Sequence, residues 1–203
     1  MEETLKNIIE KVTALYLRYG IKSVTMDDVA RHLGVSKKTL YTYVKDKNEL
    51  VERVVDGQIE EHINQDTQLK SQNLSALQEM LLVFKKVSEL LQEINPSYQY
   101  DLNKYYPQLC DKFMGFKKGQ LYQNIRENLI KGKKEGIYRK EINEDIIAKM
   151  NTDRNMAMFS ESDDHHAWFN KETFKEVFFY HMHAIINDHG RNELKQQNFF
   201  QNT

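Results

Sequence analysis

The 203-residue sequence contains a single cysteine, Cys110, and only two prolines, Pro96 and Pro107. One cysteine cannot form a disulfide within the chain, and sparse cysteine is typical of proteins in a reducing compartment. The eight glycines add few further helix breakers. Together with abundant Leu, Lys, Glu, Gln and Ile, this composition predicts an all-α fold.

Long apolar runs are also missing, since no stretch approaches the roughly 18 consecutive apolar residues of a membrane span. The first residues lack a basic region followed by an apolar run, so we expect no signal peptide, no membrane partner and a cytoplasmic location. The formal net charge is −1. Residues 1–50 carry nine Lys/Arg and seven Asp/Glu, an asymmetry too small to indicate nucleic-acid binding by itself.

Motifs of the common enzyme classes are absent: we find no Gly-rich phosphate loop, no nucleophile elbow and no pair of metal ligands at helical spacing. Five of the seven histidines lie within residues 165–189. His181 and His183 differ by two positions, however, which places them on nearly opposite sides of a helix. A lone cysteine beside Asp111 is more often inert than redox-sensitive. We therefore expect no enzymatic activity, no metal and no cofactor.

Short helices with clear start and stop signals lie near the N-terminus. A first amphipathic helix over residues 3–19 ends at Gly20. Thr25 is a good N-cap for a helix that ends at Gly34, and Ser36 is a good N-cap for the next, "KKTLYTYV". The connection "GVS" has the spacing of a helix-turn-helix, in which the second helix enters the DNA major groove.

The second helix of this pair has little apolar surface. Only Leu40 and Val44, four residues apart, form a buried face, so Lys38, Thr42 and in part the residues around them point outward. Hydroxyl and ammonium groups on such a face suit phosphate oxygens, which indicates DNA binding. The residues alone leave an alternative open: a helical structural or adaptor protein that does not bind DNA, in which Tyr41 and Tyr43 are half-buried rings.

The segment "TMDDVARHLGVSKKTLYTYVKDKNEL", preceded by "YLRYG", resembles the N-terminal domain of the TetR (tetracycline-repressor) family of bacterial transcriptional regulators. The matching features are the threonine that starts helix 2, "VA..LGVS", "TLY.Y" and "K.KNEL", over roughly residues 3–55. The remainder matches only in its layout of several long helices. Val44 stands where phenylalanine is commoner. Asp27 and Asp28 place two acids near the DNA side of helix 2, which leaves its phosphate contacts open.

The resemblance implies a ligand-responsive repressor that binds a palindromic operator in double-stranded DNA as a homodimer and is released by a small apolar effector. In such a protein the helix 2 threonine approaches the backbone, the lysines and threonines of the recognition helix reach base edges, and the tyrosines contact phosphate or sugar. The implied DNA contacts are Thr25, Lys37, Lys38, Thr39, Tyr41, Thr42, Tyr43 and Lys47.

We expect a DNA-binding domain over residues 1–46, an effector-binding and dimerisation domain over residues 47–190 and a frayed tail over residues 191–203. A helix from about Lys47 is expected to end at a polar loop over residues 64–74. The later helices are predicted at 75–94, ended by Pro96; at 108–134, with a continuity weakened by Gly115 and Gly119; from the N-cap Asn143 to 159; and from about 170.

Aromatic residues are dense over residues 98–122. The resemblance implies that the central helices enclose a ligand cavity, and tyrosine supplies both the apolar body and the polar tip that such cavities use. The candidate pocket residues are Phe84, Tyr98, Tyr105, Phe113, Phe116 and Met150.

The last two predicted helices are apolar over more than one face, which predicts association with another surface. The resemblance implies a four-helix dimer interface at this place. The candidate interface residues are Ile146, Ile147, Met158, Phe174, Phe178, Met182 and Ile185.

Overall fold

The computed structural model describes residues 2–93, 96–157 and 171–196. All regular secondary structure in these ranges is helical, which confirms the all-α prediction. The helices are α1 (Glu2–Tyr19), α2 (Met26–Leu33), α3 (Lys37–Leu40), α4 (Lys47–Ser71), α5 (Ala76–Glu93), α6 (Pro96–Tyr105), α7 (Pro107–Lys134), α8 (Glu144–Ala157), α9 (Lys171–Ile185) and α10 (Asp188–Gln196). None of these helices combines the length and apolar character needed to cross a membrane.

The predicted helix ends at Gly34 and Asn143 are confirmed. Gly34 adopts the left-handed conformation (φ 70°), and its N–H donates to the carbonyl of Arg31 at 3.2 Å. Asn143 Oδ1 accepts from the N–H of Ile146 at 3.0 Å, as an N-cap does. These ends are fixed by residues within the same turn, so the sequence is sufficient to locate them.

Other helix boundaries differ from the predictions. The polar segment 64–71 continues α4 instead of forming a loop, because it contains no glycine or proline and its side chains bond within the helix, as Gln65 does to Glu61 at 2.9 Å. Pro96 and Pro107 open α6 and α7, since proline is well suited to the first helical position. Helix α7 is continuous through Gly115 and Gly119.

The tail expected to fray over residues 191–203 is helical up to Gln196 within α10, and residues 197–203 lie outside the described ranges. Leu194 is 2% exposed and belongs to a buried cluster. Burial of this side chain stabilises a helix whose own residues are mostly polar, because tertiary packing contributes more to helix stability than local propensity.

The chain divides into two compact units, one drawn from Met1–Gln68 with Ile94–Phe116 and the other from Leu69–Glu93 with Lys117–Thr203. Helices α4 and α7 contribute residues to both. The predicted functional boundary at residue 47 stays a prediction, because compactness does not show which residues bind DNA.

In the first unit, α1 to α3, most of α4, α6 and the start of α7 share one apolar core. Helix α6 is tied to the turn after α1: Asp101, 7% exposed, accepts from the backbone N–H of Lys22 at 2.7 Å. Tyr98 donates its hydroxyl to Gln58 Oε1 at 2.6 Å. These long-range polar bonds connect α6 to the helix-turn-helix and to α4.

The second unit has its own core, in which α5 packs against α9. The ring of Phe84 lies 4.5 Å from that of Phe178 and 5.5 Å from that of Phe174, measured between ring centroids. An isolated β-bridge joins Tyr138 to Ile186, and the carbonyl of Ile185 accepts from the N–H of Arg139 at 2.9 Å. The turn after α7 is thereby fixed to the end of α9.

Tyr138 is the best-enclosed ring of this second core. It is fully buried, and its hydroxyl donates to Asn128 Oδ1 at 2.9 Å. Asn128 in turn donates to the carbonyl of Ala76 at 2.9 Å. The ring lies directly against Gly132, so that a Cβ at this position would overlap ring atoms. Only glycine leaves room for this tyrosine.

We therefore expect Gly132→Ala to lower the free energy of unfolding by about 1–3 kcal/mol, the usual cost of overpacking a core. The control is Gly115→Ala in the same helix, where an added Cβ meets no atom within 4 Å. There the higher helix propensity of alanine should stabilise the protein by about 0.8–1 kcal/mol. Urea unfolding of both variants tests the pair, and equal stability of the two would contradict the packing argument.

Candidate nucleic-acid interface

The start of α2 is closed by a reciprocal pair of side chains. Thr25 Oγ1 accepts from the N–H of Asp28 at 3.2 Å, and the Asp28 carboxylate accepts from the N–H of Thr25 at 3.0 Å and from its hydroxyl at 2.6 Å. These bonds from Thr25 lower the pKa of Asp28. Asp28 therefore has a structural function in the capping box, and the hydroxyl proton of Thr25 is already committed within the protein.

The other acid of this helix, Asp27, forms an ion pair across the helix-turn-helix. Its carboxylate accepts from Lys37 Nζ at 2.9 Å, and this bond raises the pKa of the lysine. Both side chains are largely exposed, so the pair is weakly held and can be exchanged for another partner. Lys37 is therefore available to an anion only in competition with Asp27.

Helix α3 is short and strongly anchored. Ser36 Oγ accepts from the N–H of Thr39 at 3.0 Å, and after Leu40 the chain continues in a tight turn in which the N–H of Tyr43 donates to the carbonyl of Leu40 at 3.0 Å. Leu40 and Val44 are 0% and 2% exposed. Burial of these two side chains fixes which side of the segment faces solvent.

The solvent-facing side of α3 carries the residues predicted to contact DNA. Thr42 donates its hydroxyl to the carbonyl of Thr39 at 2.6 Å, so both threonines are oriented by local bonds. Lys38 and Tyr41 are exposed, and neither forms a hydrogen bond or an ion pair in the part of the chain that the structure describes. Tyr43 is half-buried against the core. The segment thus presents to solvent the ammonium group of Lys38, the ring of Tyr41 and the two oriented threonine hydroxyls.

Lys47 has a function within the fold that the sequence did not reveal. Its ammonium group donates to the carbonyls of Ile21 and Val24, each at 2.6 Å. Burial, and then the positive charge of Lys22, lower its pKa. One of its three N–H groups remains for a phosphate, so the predicted DNA contact is compatible with this position and stays a prediction.

A group of exposed cations and rings next to this turn was missed. Lys22 Nζ lies 4.7 Å from the ring centroid of Tyr105, and Lys104 Nζ donates to the hydroxyl of Tyr100 at 2.7 Å. Residues of α6 meet the turn between α1 and α2 here, although Lys22 and Tyr105 lie 83 positions apart in sequence. No local pattern could have indicated this contact.

The residues predicted for an effector pocket fall into different places. Tyr98 and Phe113 are buried in the core of the first unit, and Phe84 in that of the second, while Tyr105 and Met150 are 42% and 53% exposed. The remaining candidate, Phe116, is half-buried, with its ring 6.4 Å from that of His62.

An open groove of about 480 Å³ lies between α7 and α8 in the second unit, and none of those six residues lines it. Its walls include Tyr122, Ile146, Lys149 and Thr152. The location of an effector pocket stays a prediction.

The predicted interface residues also separate by burial. Ile146 is 64% exposed, whereas Phe178, Met182 and Ile185 are buried in their own chain; Ile147 and Phe174 are half-buried, and Met158 lies outside the described residues. Tyr180, which was not predicted, is 73% exposed. The large apolar side chains of α8 and α9 that are exposed are therefore Ile146, Met150 and Tyr180, and the place of a dimer interface stays a prediction.

The histidines and the cysteine form no metal site within the described residues. No group of three His, Cys, Asp or Glu side chains there could hold a metal ion. His181 is buried and His183 is exposed, while His165 and His166 lie outside the described ranges. Cys110 is buried.

Residues 8–54 match the family model described as bacterial regulatory proteins, tetR family. The HTH-type transcriptional regulator YvaF of Bacillus subtilis (strain 168) is 32% identical over 103 residues, which span 50% of this chain and 53% of YvaF. The chain thus matches about half the length of this relative.

Two solved structures show the same fold over nearly the whole chain. A transcriptional regulator from Cytophaga hutchinsonii ATCC 33406 has a TM-score of 0.69 at 18% identity, covering 91% of this chain and 99% of its own. A TetR transcriptional regulator from Chloroflexus aurantiacus J-10-FL has a TM-score of 0.65 at 12% identity, covering 92% and 98%. The capped helix-turn-helix lies within the part of the chain that matches the tetR family of bacterial regulatory proteins, and the chain as a whole shares the fold of the two solved regulators.

Proposed function

We propose that this protein is a ligand-responsive repressor that binds a palindromic operator as a homodimer and is released by a small effector with a largely apolar body. The observation that carries the proposal is the outward side of α3. Lys38 and Tyr41 are exposed there, without a side-chain hydrogen bond or ion pair among the described residues, on a segment that Leu40 and Val44 hold in the core. A cation fixed in this way can donate to guanine O6 and N7, and a threonine methyl can contact thymine.

The lysines of this region differ in how firmly the rest of the protein holds their ammonium groups. Lys38 is free to reach a base edge, Lys37 must first leave Asp27, and Lys47 is held by two carbonyl oxygens. Base contacts specify sequence, whereas phosphate contacts fix position. We therefore assign base readout to Lys38, and phosphate contacts to Lys37, Tyr41 and Lys47.

A dimer would place two copies of α3 in successive major grooves, about 34–36 Å apart, on a two-fold symmetric site. The exposed apolar side chains of the second unit support association. Ile146 and Met150 are 64% and 53% exposed and lie four residues apart, so they share one face of α8. Two such faces related by a two-fold axis would cover each other.

Release of the protein from its operator requires that the effector bind more tightly to the dimer arrangement that cannot bind DNA than to the arrangement that can. A hundredfold preference corresponds to about 2.7 kcal/mol and would weaken operator binding by up to the same factor. The separation of the two α3 segments in the dimer is the property that the effector must change. Each recognition segment contacts its own groove, so a displacement of a few ångströms, on the order of one base-pair rise, would lose contacts on one side.

We expect Lys38→Ala to weaken operator binding by about 1–3 kcal/mol and to relax base preference at one position. Asp27→Asn should instead strengthen binding, because it removes a negative charge near the DNA and frees Lys37. Fluorescence anisotropy with the DNA upstream of the gene, at two salt concentrations, measures both variants. Weaker binding by Asp27→Asn, or an unchanged affinity of Lys38→Ala, would contradict these assignments.

Lys47→Met should have two separable effects. Loss of the donor to the Ile21 and Val24 carbonyls should lower the midpoint of urea unfolding, and loss of a phosphate contact should reduce the slope of log K against log salt by about one unit. Lys11→Met, an exposed position on α1, serves as the control and should change neither quantity. A lower midpoint with an unchanged salt slope would restrict Lys47 to its structural function.

For the dimer, we expect the double variant Ile146→Asp and Met150→Glu to shift the protein from dimer to monomer in analytical ultracentrifugation at micromolar concentration. Charges on both sides of a two-fold contact face each other and are costly to bury. Val83→Asp, at an exposed position of α5, is the matched control. A double variant that sediments as the wild type would remove this face of α8 from the interface.

A further inference from the structure

One turn of α8 buries several polar atoms that have no partner. The atoms are Asn151 Oδ1, Thr152 Oγ1 and Arg154 Nε, three of the five buried side-chain atoms without a hydrogen bond in the described part of the chain. Asn151 and Thr152 are only 1% and 2% exposed. Unpartnered buried polar atoms are rare because each loses its bonds to water without replacement. Their concentration within four residues indicates a site for a polar ligand.

The chemistry of these atoms is specific. Asn151 donates its Nδ2 to the carbonyl of Ile147 at 2.9 Å, so its remaining Oδ1 needs a donor from the ligand. Arg154 Nε can only donate, and it belongs to a planar guanidinium that suits a carboxylate. The Thr152 hydroxyl can do either. The turn thus offers a cationic donor and a neutral acceptor three residues apart on the same side of the helix.

Helix α9 contributes His181, which is 7% exposed. Burial, and then the positive charge of Arg154, lower its pKa to about 4, so the ring is neutral at neutral pH. The nearest acid on α8, Asp153, is already paired with Lys118 at 2.9 Å and Lys149 at 3.1 Å. No carboxylate in the described residues neutralises Arg154, which leaves its charge for a ligand.

The face of α9 that carries His181 also carries an apolar cluster. Phe178 precedes His181 by three residues and therefore shares its face of α9. Its ring packs against Phe84 and lies 5.9 Å from the ring of Phe179. A ligand held by its polar end at Arg154 would place an aromatic or short alkyl body beside these rings, where stacking is favourable.

We propose that α8 and α9 bind an aryl or short-chain hydroxy acid: a carboxylate on Arg154, with an adjacent hydroxyl donating to Asn151 Oδ1 and the apolar body against the phenylalanine cluster. The inference rests on the proposed function only in making this ligand the effector. Binding itself requires no DNA and can be measured separately.

The test is isothermal titration calorimetry of the full chain with 3-phenyllactate and two comparators. 3-Phenylpropionate lacks the hydroxyl, and 3-phenyllactamide lacks the charge. We expect 3-phenyllactate to bind at least tenfold more tightly than either comparator. In Arg154→Gln, 3-phenyllactate should no longer bind more tightly than 3-phenyllactamide. In Asn151→Leu, it should no longer bind more tightly than 3-phenylpropionate. Arg191→Gln, an exposed arginine of α10, is the control and should retain both advantages.

Equal affinities for the three compounds, no binding of any of them, or an advantage over the amide that survives Arg154→Gln would overturn the site. If circular dichroism shows that Arg154→Gln does not fold, Arg154→Lys replaces it. This variant keeps the positive charge but lacks the planar guanidinium, and it should bind 3-phenyllactate at least fivefold more weakly. Selective binding that leaves operator affinity unchanged supports the site and contradicts ligand control. Intact operator binding without any 3-phenyllactate binding overturns the site alone.

Discussion

The burial of two aliphatic side chains, Leu40 and Val44, determines what the recognition segment presents to solvent. Full burial of such a side chain contributes about 1.5–3 kcal/mol, more than the surface ion pairs around it. Since α3 has only four residues in regular helix, its rotation about its own axis is fixed mainly by these two side chains, together with the half-buried Tyr43. The outward position of Lys38 and Tyr41 follows from this anchor, and the proposed base readout by Lys38 depends on that position.

Some charged side chains around Leu40 and Val44 stabilise the fold of the domain. Others stay available to pair with an external anion. Asp28 closes the start of α2, and Lys47 joins α4 to the carbonyls of the preceding turn. Asp27 holds Lys37 in a pair that water screens well. The small excess of positive charge in the N-terminal 50 residues is therefore less informative than the count of lysines that remain unpaired.

The second unit differs from the first in having three buried polar atoms without a hydrogen bond within four residues of α8, whereas the first has one such atom among the described residues, the Tyr16 hydroxyl oxygen. Its phenylalanine cluster and the bonded network around Tyr138 are well packed and complete. The turn of α8 from Asn151 to Arg154 is incomplete. Proteins tolerate such groups where a ligand supplies the missing bonds, and this is the basis of the ligand site proposed for this turn.

The sequence by itself determined the features that depend on neighbouring residues: the capped helices, the left-handed turn at Gly34 and the burial of Leu40 and Val44. Side-chain caps and a helical period act within one or two turns, so they can be read directly. The tertiary structure alone decided the bonds of Lys47, the tie between Asp101 and Lys22, and the separation of the predicted pocket residues into two cores. These depend on which helices pack together, and packing joins residues tens of positions apart whose proximity no local pattern encodes.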